Sequence, residues 1–219
     1  MKILIPVLFV VAATATAQSV SKNLPEKINA DQRFLFYLHG GVVTYLGDNA
    51  VNESVPEWGP YEYSKILDSL KNRRFQIVSE IRKEGIDDSM YVAKIVRQIN
   101  TLLRAGVPGR NILLVGASAG ASIALRVSSQ VAERNIRYVI LGACWPDTHK
   151  KYISIELSGH FLSIIEASDP HGTCSSIFEN RKRIGSYTEI TLNTGLSHGF
   201  LYKGHKEWID PIVTWFNKK

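Results

Sequence analysis

The chain has 219 residues, of which 45% are hydrophobic and 21% are charged. This length and composition are typical of one globular domain with a sizeable buried core. The net charge is +6, but Lys and Arg form no dense block and are not interleaved with aromatic residues, so we expect a solvated basic surface and no nucleic-acid partner.

The first residues have the pattern of a secretory signal peptide. Lys2 precedes the apolar run ILIPVLFVVAA, and Ala15-Thr16-Ala17 forms an A-x-A cleavage site before Gln18. The run is about half as long as a membrane span requires. We therefore predict a signal peptide over residues 1–17, a domain over residues 18–219, and a secreted or periplasmic protein without a stable membrane anchor after cleavage. An uncleaved N-terminal anchor is the alternative.

Continuous apolar runs along the remaining chain predict β-strands that are buried on both faces. A polar lead-in over residues 18–31 precedes the first of them. The six predicted strands cover residues 33–38, 74–81, 111–117, 137–141, 159–167 and 186–193.

Helical periodicity and breakers between these strands predict the helices. Residues 42–60 are expected to be irregular, and residues 172–184 to be a loop with a short helix. Asp210 is expected to cap the last helix, with Pro211 at its first position. Further helices are predicted over residues 60–72, 88–103 and 118–134. The alternation predicts an α/β fold, doubly wound, with a mostly parallel six-stranded sheet and helices on both faces.

The only two cysteines, Cys144 and Cys174, each follow a predicted strand. In an oxidising compartment such an even pair is compatible with a disulfide, and two buried free thiols are the alternative. Neither cysteine has His or Cys partners at the spacing of metal ligands, so we predict no metal site.

Residues that carry chemistry follow the carboxyl ends of several predicted strands. The motif GASAG lies between a strand and a helix, where a G-x-S-x-G turn raises its serine, here Ser118, to an exposed position. Asp169 follows the fifth strand and His198 the sixth. Because the carboxyl ends of parallel strands meet at one edge of a sheet, we expect Ser118, Asp169 and His198 to form a nucleophile, acid and base.

Each assignment has an alternative. Ser118 is alternatively a helix N-cap, His198 an ordinary loop histidine, and Asp169 the start of a turn. Glu166 is the rival acid, although it lies inside the predicted strand. His39 is expected to be structural. The remaining histidines show no partner pattern and are expected at the surface; they are His160, His171 and His205.

The segments YLHGG, GASAG, EASDP and LSHGF together resemble the α/β-hydrolase superfamily, in particular its small capless members of the dienelactone-hydrolase and esterase type. The resemblance runs from residue 33 to the C-terminus and implies a minimal fold without a cap domain, an open site and no cofactor. It also implies an oxyanion hole formed by the backbone N–H groups of Ala119 and of Gly41, with Val42 as the alternative to Gly41. The chain departs from the family pattern in lacking two initial antiparallel strands and in having HGG instead of HGGG.

The predicted function is that of an exported serine hydrolase that cleaves a carboxylic ester or related acyl bond through an acyl-enzyme on Ser118. Its substrate is expected to be a small-molecule or polymer-borne ester, with Arg82, Trp145 and Phe200 as candidate binding residues. A non-catalytic binding protein on the same fold is the main alternative. A peptidase or thioesterase is another. The oligomeric state is left open.

Overall fold

The computed structural model describes residues 20–71, 73–145 and 151–218. The predicted signal peptide lies outside this part of the chain and stays a prediction. Among the described helices, none has both the length and the apolar character that crossing a bilayer requires.

A parallel sheet of seven strands forms the centre of the molecule, in the order β1-β3-β2-β4-β5-β6-β7. The predicted α/β class and parallel sheet are confirmed, with one strand more than the six expected. The additional strand is β1, which lies in the polar lead-in and pairs Val20 with Ile77 at the edge of the sheet. The strands are β1 (Val20–Ser21), β2 (Phe34–Leu38), β3 (Gln76–Val78), β4 (Ile112–Ala117), β5 (Arg137–Leu141), β6 (Gly159–Glu166) and β7 (Ile184–Leu192).

Helices cover both faces of this sheet, as predicted. They are α1 (Gly41–Leu46), α2 (Tyr63–Lys71), α3 (Asp88–Arg104), α4 (Ala119–Gln130), α5 (Ser175–Phe178) and α6 (Lys206–Asn217). Alternate residues of β2 enter two different apolar cores, because side chains along a strand point to opposite faces. Phe36 packs in the core under α3 and α4, whereas Tyr37 packs in the core under α2 and α6. The connections after β5 and β6 form no separate cap domain among the described residues.

Helix α3 illustrates how directly the sequence pattern specifies an element. Asp87 caps it by accepting a hydrogen bond from the Ser89 N–H. Its apolar residues recur at the spacing of one helical face, and these side chains are buried: Val92, Ile95, Ile99 and Leu102.

The last helix begins four residues before the predicted N-cap. Helix α6 starts at Lys206, after His205, and contains Pro211 in its interior. A proline inside a helix costs about 3 kcal/mol. The earlier start buries Trp208 and Ile209, and burying a large apolar side chain contributes about 1.5–3 kcal/mol. The two burials therefore offset the cost of the proline, and the predicted boundary is wrong.

Helix α1 lies in a segment that was expected to be irregular. It occupies six residues between Gly40 and Gly47, which has a φ of 86°. Val43 is its only fully buried side chain, while Tyr45 and Leu46 are exposed. A single inward residue leaves no helical periodicity to detect, which explains why the sequence pattern did not predict this helix.

Cys144 and Cys174 form a disulfide between the segment after β5 and the start of α5, with their Cα atoms 5.1 Å apart. The sequence left this pairing and two buried free thiols as alternatives, and the structure has the disulfide. Both cysteines are buried in the core under α3 and α4. The bridge therefore ties together two segments at the carboxyl end of the sheet.

Candidate active site

Ser118 occupies a strained turn between β4 and α4. Its φ of 51° and ψ of −117° are unusual for a residue with a side chain. The Ser118 N–H donates to the Leu141 carbonyl at 2.9 Å, which anchors the turn to β5. The hydroxyl makes no capping bond to α4. The alternative that Ser118 serves as a helix cap is therefore not supported.

Two glycines permit this turn because the backbone approaches closely on both sides. A Cβ on Gly116 would lie 2.5 Å from the Gly120 carbonyl oxygen. A Cβ on Gly120 would lie 1.9 Å from the Leu38 carbonyl oxygen in β2. Side chains at these positions are incompatible with the observed packing, so the spacing of the GASAG motif has a steric cause.

The structure brings His198 between Ser118 and Asp169. The His198 Nε2 atom is 3.1 Å from the Ser118 Oγ atom, and Nδ1 is 2.6 Å from an Asp169 carboxylate oxygen. Because a carboxylate only accepts hydrogen bonds, Nδ1 carries the proton and Nε2 is free to accept one from the serine hydroxyl. The three side chains form one hydrogen-bonded chain, and their catalytic roles stay a prediction.

Asp169 is the acid that contacts the histidine, and Glu166 has a different role. The Glu166 carboxylate accepts hydrogen bonds from the Thr194 N–H at 3.1 Å and the Gly195 N–H at 3.2 Å. These residues belong to the loop that leads to His198. Burial raises the pKa of Glu166, but the hydrogen bonds from Thr194 and Gly195 outweigh it and hold the pKa below its usual value. Glu166 therefore supports the loop that carries the imidazole.

His171 is a second imidazole on the same carboxylate, and its expected surface position is wrong. Its Nδ1 atom bonds the Asp169 oxygen that His198 does not use, and its backbone N–H donates to that oxygen at 3.1 Å. The rings of His171 and His198 lie 4.5 Å apart. The sequence signal that could have predicted this contact is the tendency of an Asp side chain to accept a hydrogen bond from the backbone N–H two residues later.

The two imidazoles control the charge of Asp169, whose carboxylate is almost fully buried. Burial raises the pKa of Asp169, but the hydrogen bonds from His198 and His171 outweigh it and hold the pKa at about 2. The carboxylate is therefore ionised throughout the neutral range.

The two predicted oxyanion donors lie beside Ser118. Gly41 is the first residue of α1 and Ala119 the first residue of α4, and both line the cavity in front of the serine. The first N–H groups of a helix have no partner within the helix. The neighbouring Gly40 N–H instead donates to the Tyr61 hydroxyl at 3.4 Å. The geometry is compatible with the predicted roles of Gly41 and Ala119, which stay predictions.

The cavity has a volume of about 440 Å³ and a largely apolar, aromatic wall. Among the residues that the structure describes, none that lines the cavity is Asp, Glu, Lys or Arg. Gly199 allows Trp58 to pack against the His198 loop, because a Cβ there would lie 2.6 Å from the indole. The side chains that line the cavity around Ser118 and His198 are Val42, Tyr45, Leu46, Asn52, Trp58, Tyr61, Trp145, Leu201 and Tyr202.

Of the three candidate binding residues, only Trp145 lines this cavity. Phe200 is buried in the core under α2 and α6. Arg82 is buried behind the loop that follows β2, so the expectation that these two residues contact substrate is not supported. Both follow or flank a strand end, where the sequence does not reveal the direction of a side chain.

His39 has a structural role, as expected, and Arg82 is its partner. The Arg82 N–H donates to His39 Nε2 at 2.9 Å, and the guanidinium donates to the His39 carbonyl at 2.6 Å. The His39 Nδ1–H donates to the Gly40 carbonyl at 2.8 Å. Burial, together with the Arg82 charge, lowers the pKa of His39 to about 3. His39 is therefore neutral and unavailable for proton transfer.

Comparison with solved structures identifies the fold. The chain is similar to a protein of unknown function from Agrobacterium tumefaciens that is classed with the alpha/beta hydrolases, at 16% identity and a TM-score of 0.59, over 89% of this chain and 88% of that one. A lipase-esterase related protein from Clostridium acetobutylicum matches at 14% identity and a TM-score of 0.55, over 85% and 96%. The thioesterase domain from the curacin biosynthetic pathway matches at 9% identity and a TM-score of 0.52, over 87% and 92%.

No protein-family model matches the sequence, and no curated protein sequence matches it. Because these three structural relatives are less than 25% identical to this chain, they establish the fold and leave the activity open.

Replacement of Gly120 by alanine tests the close approach of α4 to β2. We expect Gly120→Ala to lower the free energy of unfolding by about 3 kcal/mol or more, because the new methyl group overlaps a backbone carbonyl. Gly41→Ala is the matched control, since a Cβ there meets nothing closer than 3.9 Å, and it should change stability by about 0.5 kcal/mol or less. Urea denaturation measures both. Equal stability of the two variants would contradict the steric argument.

The depressed pKa of His39 predicts a specific pH dependence of stability. The unfolded chain takes up the proton near pH 6.5, whereas the folded chain resists it down to about pH 3. The contribution of His39 to the free energy of unfolding is therefore fully present above about pH 6.5. It falls as the pH decreases toward 3, by about 1.4 kcal/mol per pH unit.

Comparing denaturation curves at pH 7 and pH 5 isolates this contribution. His39→Asn should lose less stability between the two pH values than the wild type, by about 2 kcal/mol. Parallel behaviour of His39→Asn and the wild type would exclude His39 as the cause.

Proposed function

Because the chain has the α/β-hydrolase fold, we propose that it is a serine hydrolase that cleaves a carboxylic ester through an acyl-enzyme on Ser118. The observation that carries the proposal is the hydrogen-bonded chain from Ser118 through His198 to Asp169, with steps of 3.1 Å and 2.6 Å. Nucleophile, base and orienting acid are held in the geometry that nucleophilic catalysis requires.

In the first half-reaction His198 acts as a general base. Its Nε2 atom takes the hydroxyl proton as the Ser118 oxygen attacks the ester carbonyl. Asp169 stabilises the imidazolium that forms. The backbone N–H groups of Ala119 and Gly41 stabilise the negative charge on the carbonyl oxygen, and the loss of one such donor typically costs about 3–4 kcal/mol of barrier. His198 then returns the proton to the departing alkoxide, which leaves as the alcohol.

The second half-reaction reverses these proton movements. Water takes the place of the alcohol and loses a proton to His198 Nε2 while its oxygen attacks the acyl carbonyl. Collapse of the intermediate breaks the bond to Ser118, and His198 gives the proton back to the serine oxygen. The products are a carboxylic acid and a regenerated hydroxyl group.

The composition of the cavity supports an uncharged, apolar substrate group. In the part of the chain that the structure describes, the wall consists of aromatic and other uncharged side chains and offers no ion-pair partner for a charged group. Trp58 and Trp145 both lie near His198, with ring centroids 6.1 Å and 6.4 Å away. We therefore favour a carboxylic ester whose acyl or alcohol part is apolar.

We also propose that the protein is exported. The N-terminal sequence pattern supports this, and the disulfide is compatible with an oxidising compartment. Intact mass spectrometry of exported, unreduced protein should give the mass of residues 18–219 less the two thiol hydrogens. A retained N-terminus would contradict cleavage, and reaction of both cysteines with an alkylating reagent before reduction would contradict the bridge.

Active-site labelling tests the proposed mechanism. We expect a fluorophosphonate probe to add once to the wild-type protein and not to Ser118→Ala, because the serine oxygen forms the bond. Hydrolysis of p-nitrophenyl acetate should fall at least about 10³-fold in Ser118→Ala and in His198→Ala. Ser122→Ala, one turn along α4 and outside the cavity wall, is the matched control and should stay near wild type. A wild-type protein without adduct and without turnover would point to a non-catalytic binding protein.

The same assay separates the two candidate acids. Asp169→Asn should lower kcat by up to about 10⁴-fold, because an amide favours the wrong tautomer of His198. Glu166→Gln should have the smaller effect, since it alters only the support of the loop. The reverse order would transfer the role of the acid to Glu166. Matched thioester and anilide substrates distinguish an esterase from a thioesterase or peptidase.

A further inference from the structure

Three metal-ligating side chains meet at the base of the site. Asp169 has one imidazole on each of its carboxylate oxygens, from His171 and His198. Both rings turn Nδ1 toward the carboxylate, and one potential ligand atom from each of the three residues lies within 4.8 Å of the other two. We propose that these three residues form an inhibitory binding site for Zn²⁺. The inhibition, though not the binding, rests on the proposed hydrolase function.

The set of donor atoms matches the preference of Zn²⁺. Two imidazole nitrogens and one carboxylate oxygen, with water in the fourth position, are a known ligand set for this ion. Zn²⁺ holds such ligands about 3.4 Å apart at bond lengths of about 2.0–2.1 Å. Displacements of these atoms by about an ångström, through side-chain rotation, therefore suffice to bring all three onto one ion. The hard cations Mg²⁺ and Ca²⁺ prefer all-oxygen sites and are not expected to bind.

The charge at this position also favours a cation. The Asp169 carboxylate is almost fully buried, and buried charges in proteins are normally paired or coordinate a metal. Among the residues that the structure describes, Asp169 forms no ion pair with Lys or Arg, and the two histidines are its only basic partners. The imidazole side chains remain 18% and 14% exposed, which leaves access for the ion and its water.

Binding of Zn²⁺ would disable the base through the tautomer of His198. In the free site the proton is on Nδ1, and Nε2 accepts from Ser118. A metal on Nδ1 needs the lone pair of that atom, so the proton has to move to Nε2. The ring then donates a hydrogen bond to the Ser118 oxygen, 3.1 Å away, and can no longer accept the hydroxyl proton. Such an N–H partner is also what a metal-bound histidine normally requires.

No metal site was expected from the sequence, because the two cysteines have no partners at ligand spacing, and His171 was expected at the surface. Its position in the structure is what completes the ligand set. His171 also packs edge-on against Trp145, with ring centroids 4.6 Å apart, so the fluorescence of this indole provides a local optical signal.

The binding experiment uses the Ser118→Ala variant, which retains all three ligands but cannot form an acyl-enzyme. Titration with ZnCl₂ in a calorimeter should show one ion per chain and a change in tryptophan fluorescence. In the same background, His171→Phe keeps a ring against Trp145 but removes the ligand nitrogen. We expect it to weaken Zn²⁺ binding at least about tenfold. His205→Gln, which removes an imidazole outside the three-residue cluster, should leave the affinity unchanged. Absence of binding, or equal binding to the His171→Phe form, would overturn the proposal.

The inhibition experiment uses the enzyme with Ser118 intact. ZnCl₂ should slow both p-nitrophenyl acetate hydrolysis and fluorophosphonate labelling, EDTA should restore them, and MgCl₂ should have no effect. For each variant, the rate with metal is divided by its own rate without metal, so a change in the basal rate does not affect the comparison. The fractional inhibition should largely disappear in His171→Phe. Zn²⁺ that binds without slowing the labelling of Ser118 would overturn the inhibitory role. A chain that binds Zn²⁺ through His171 but hydrolyses no ester would leave the site standing and refute the proposed function instead.

Discussion

The close approach of helix α4 to strands β4 and β2 is the constraint on which the site depends. Gly120 lies where a Cβ would meet the Leu38 carbonyl oxygen at 1.9 Å, and a Cβ on Gly116 would meet the Gly120 carbonyl oxygen of α4 at 2.5 Å. The chain between them has to reverse within three residues, which drives Ser118 to a φ of 51°. Backbone strain of this kind costs about 1–3 kcal/mol and persists only where the surroundings over-determine it. Here the β5 carbonyl that binds the Ser118 N–H contributes to that restraint.

The other loops at this edge are held by buried polar contacts. Glu166 binds the backbone that leads to His198, and Arg82 binds the loop that contains the predicted oxyanion donor Gly41. The disulfide adds a covalent tie between the segments that carry Trp145 and Asp169. Buried polar groups normally have to be satisfied, so each loop has few alternative positions. Such rigidity matters for the proposed chemistry, because misplacement by about 1 Å can cost two orders of magnitude in rate.

Among the described residues, formal charges near the site lie behind the cavity wall and not on it. Asp169 and Glu166 lie under the histidine loop, and Arg82 lies behind the oxyanion loop. Electrostatic interactions are stronger in such poorly solvated surroundings than in water. The same feature makes the second imidazole on Asp169 consequential, because His171 shares the carboxylate that orients His198. The proposed catalysis and the proposed zinc binding therefore both use the Asp169 carboxylate, so they compete with each other.

The sequence by itself determined the elements whose signals are local. The buried strands appeared as apolar runs, α3 as a capped periodic helix, and the turn at Ser118 as two glycines around a serine. The order of Ser118, Asp169 and His198 at strand ends was visible for the same reason, because the ends of parallel strands share one edge. The predicted signal peptide lies outside the described residues.

Only the tertiary structure decided the positions that depend on distant partners. Strand β1 has two residues and is defined by its pairing with β3, and α6 begins where Trp208 can be buried. His171 reached Asp169, while Arg82 and Phe200 turned away from the cavity. A loop has no periodicity, so its side-chain directions are set by the packing and hydrogen bonds it meets after folding. Apolar periodicity and glycine sterics act over a few residues, and they can therefore be read from the chain alone.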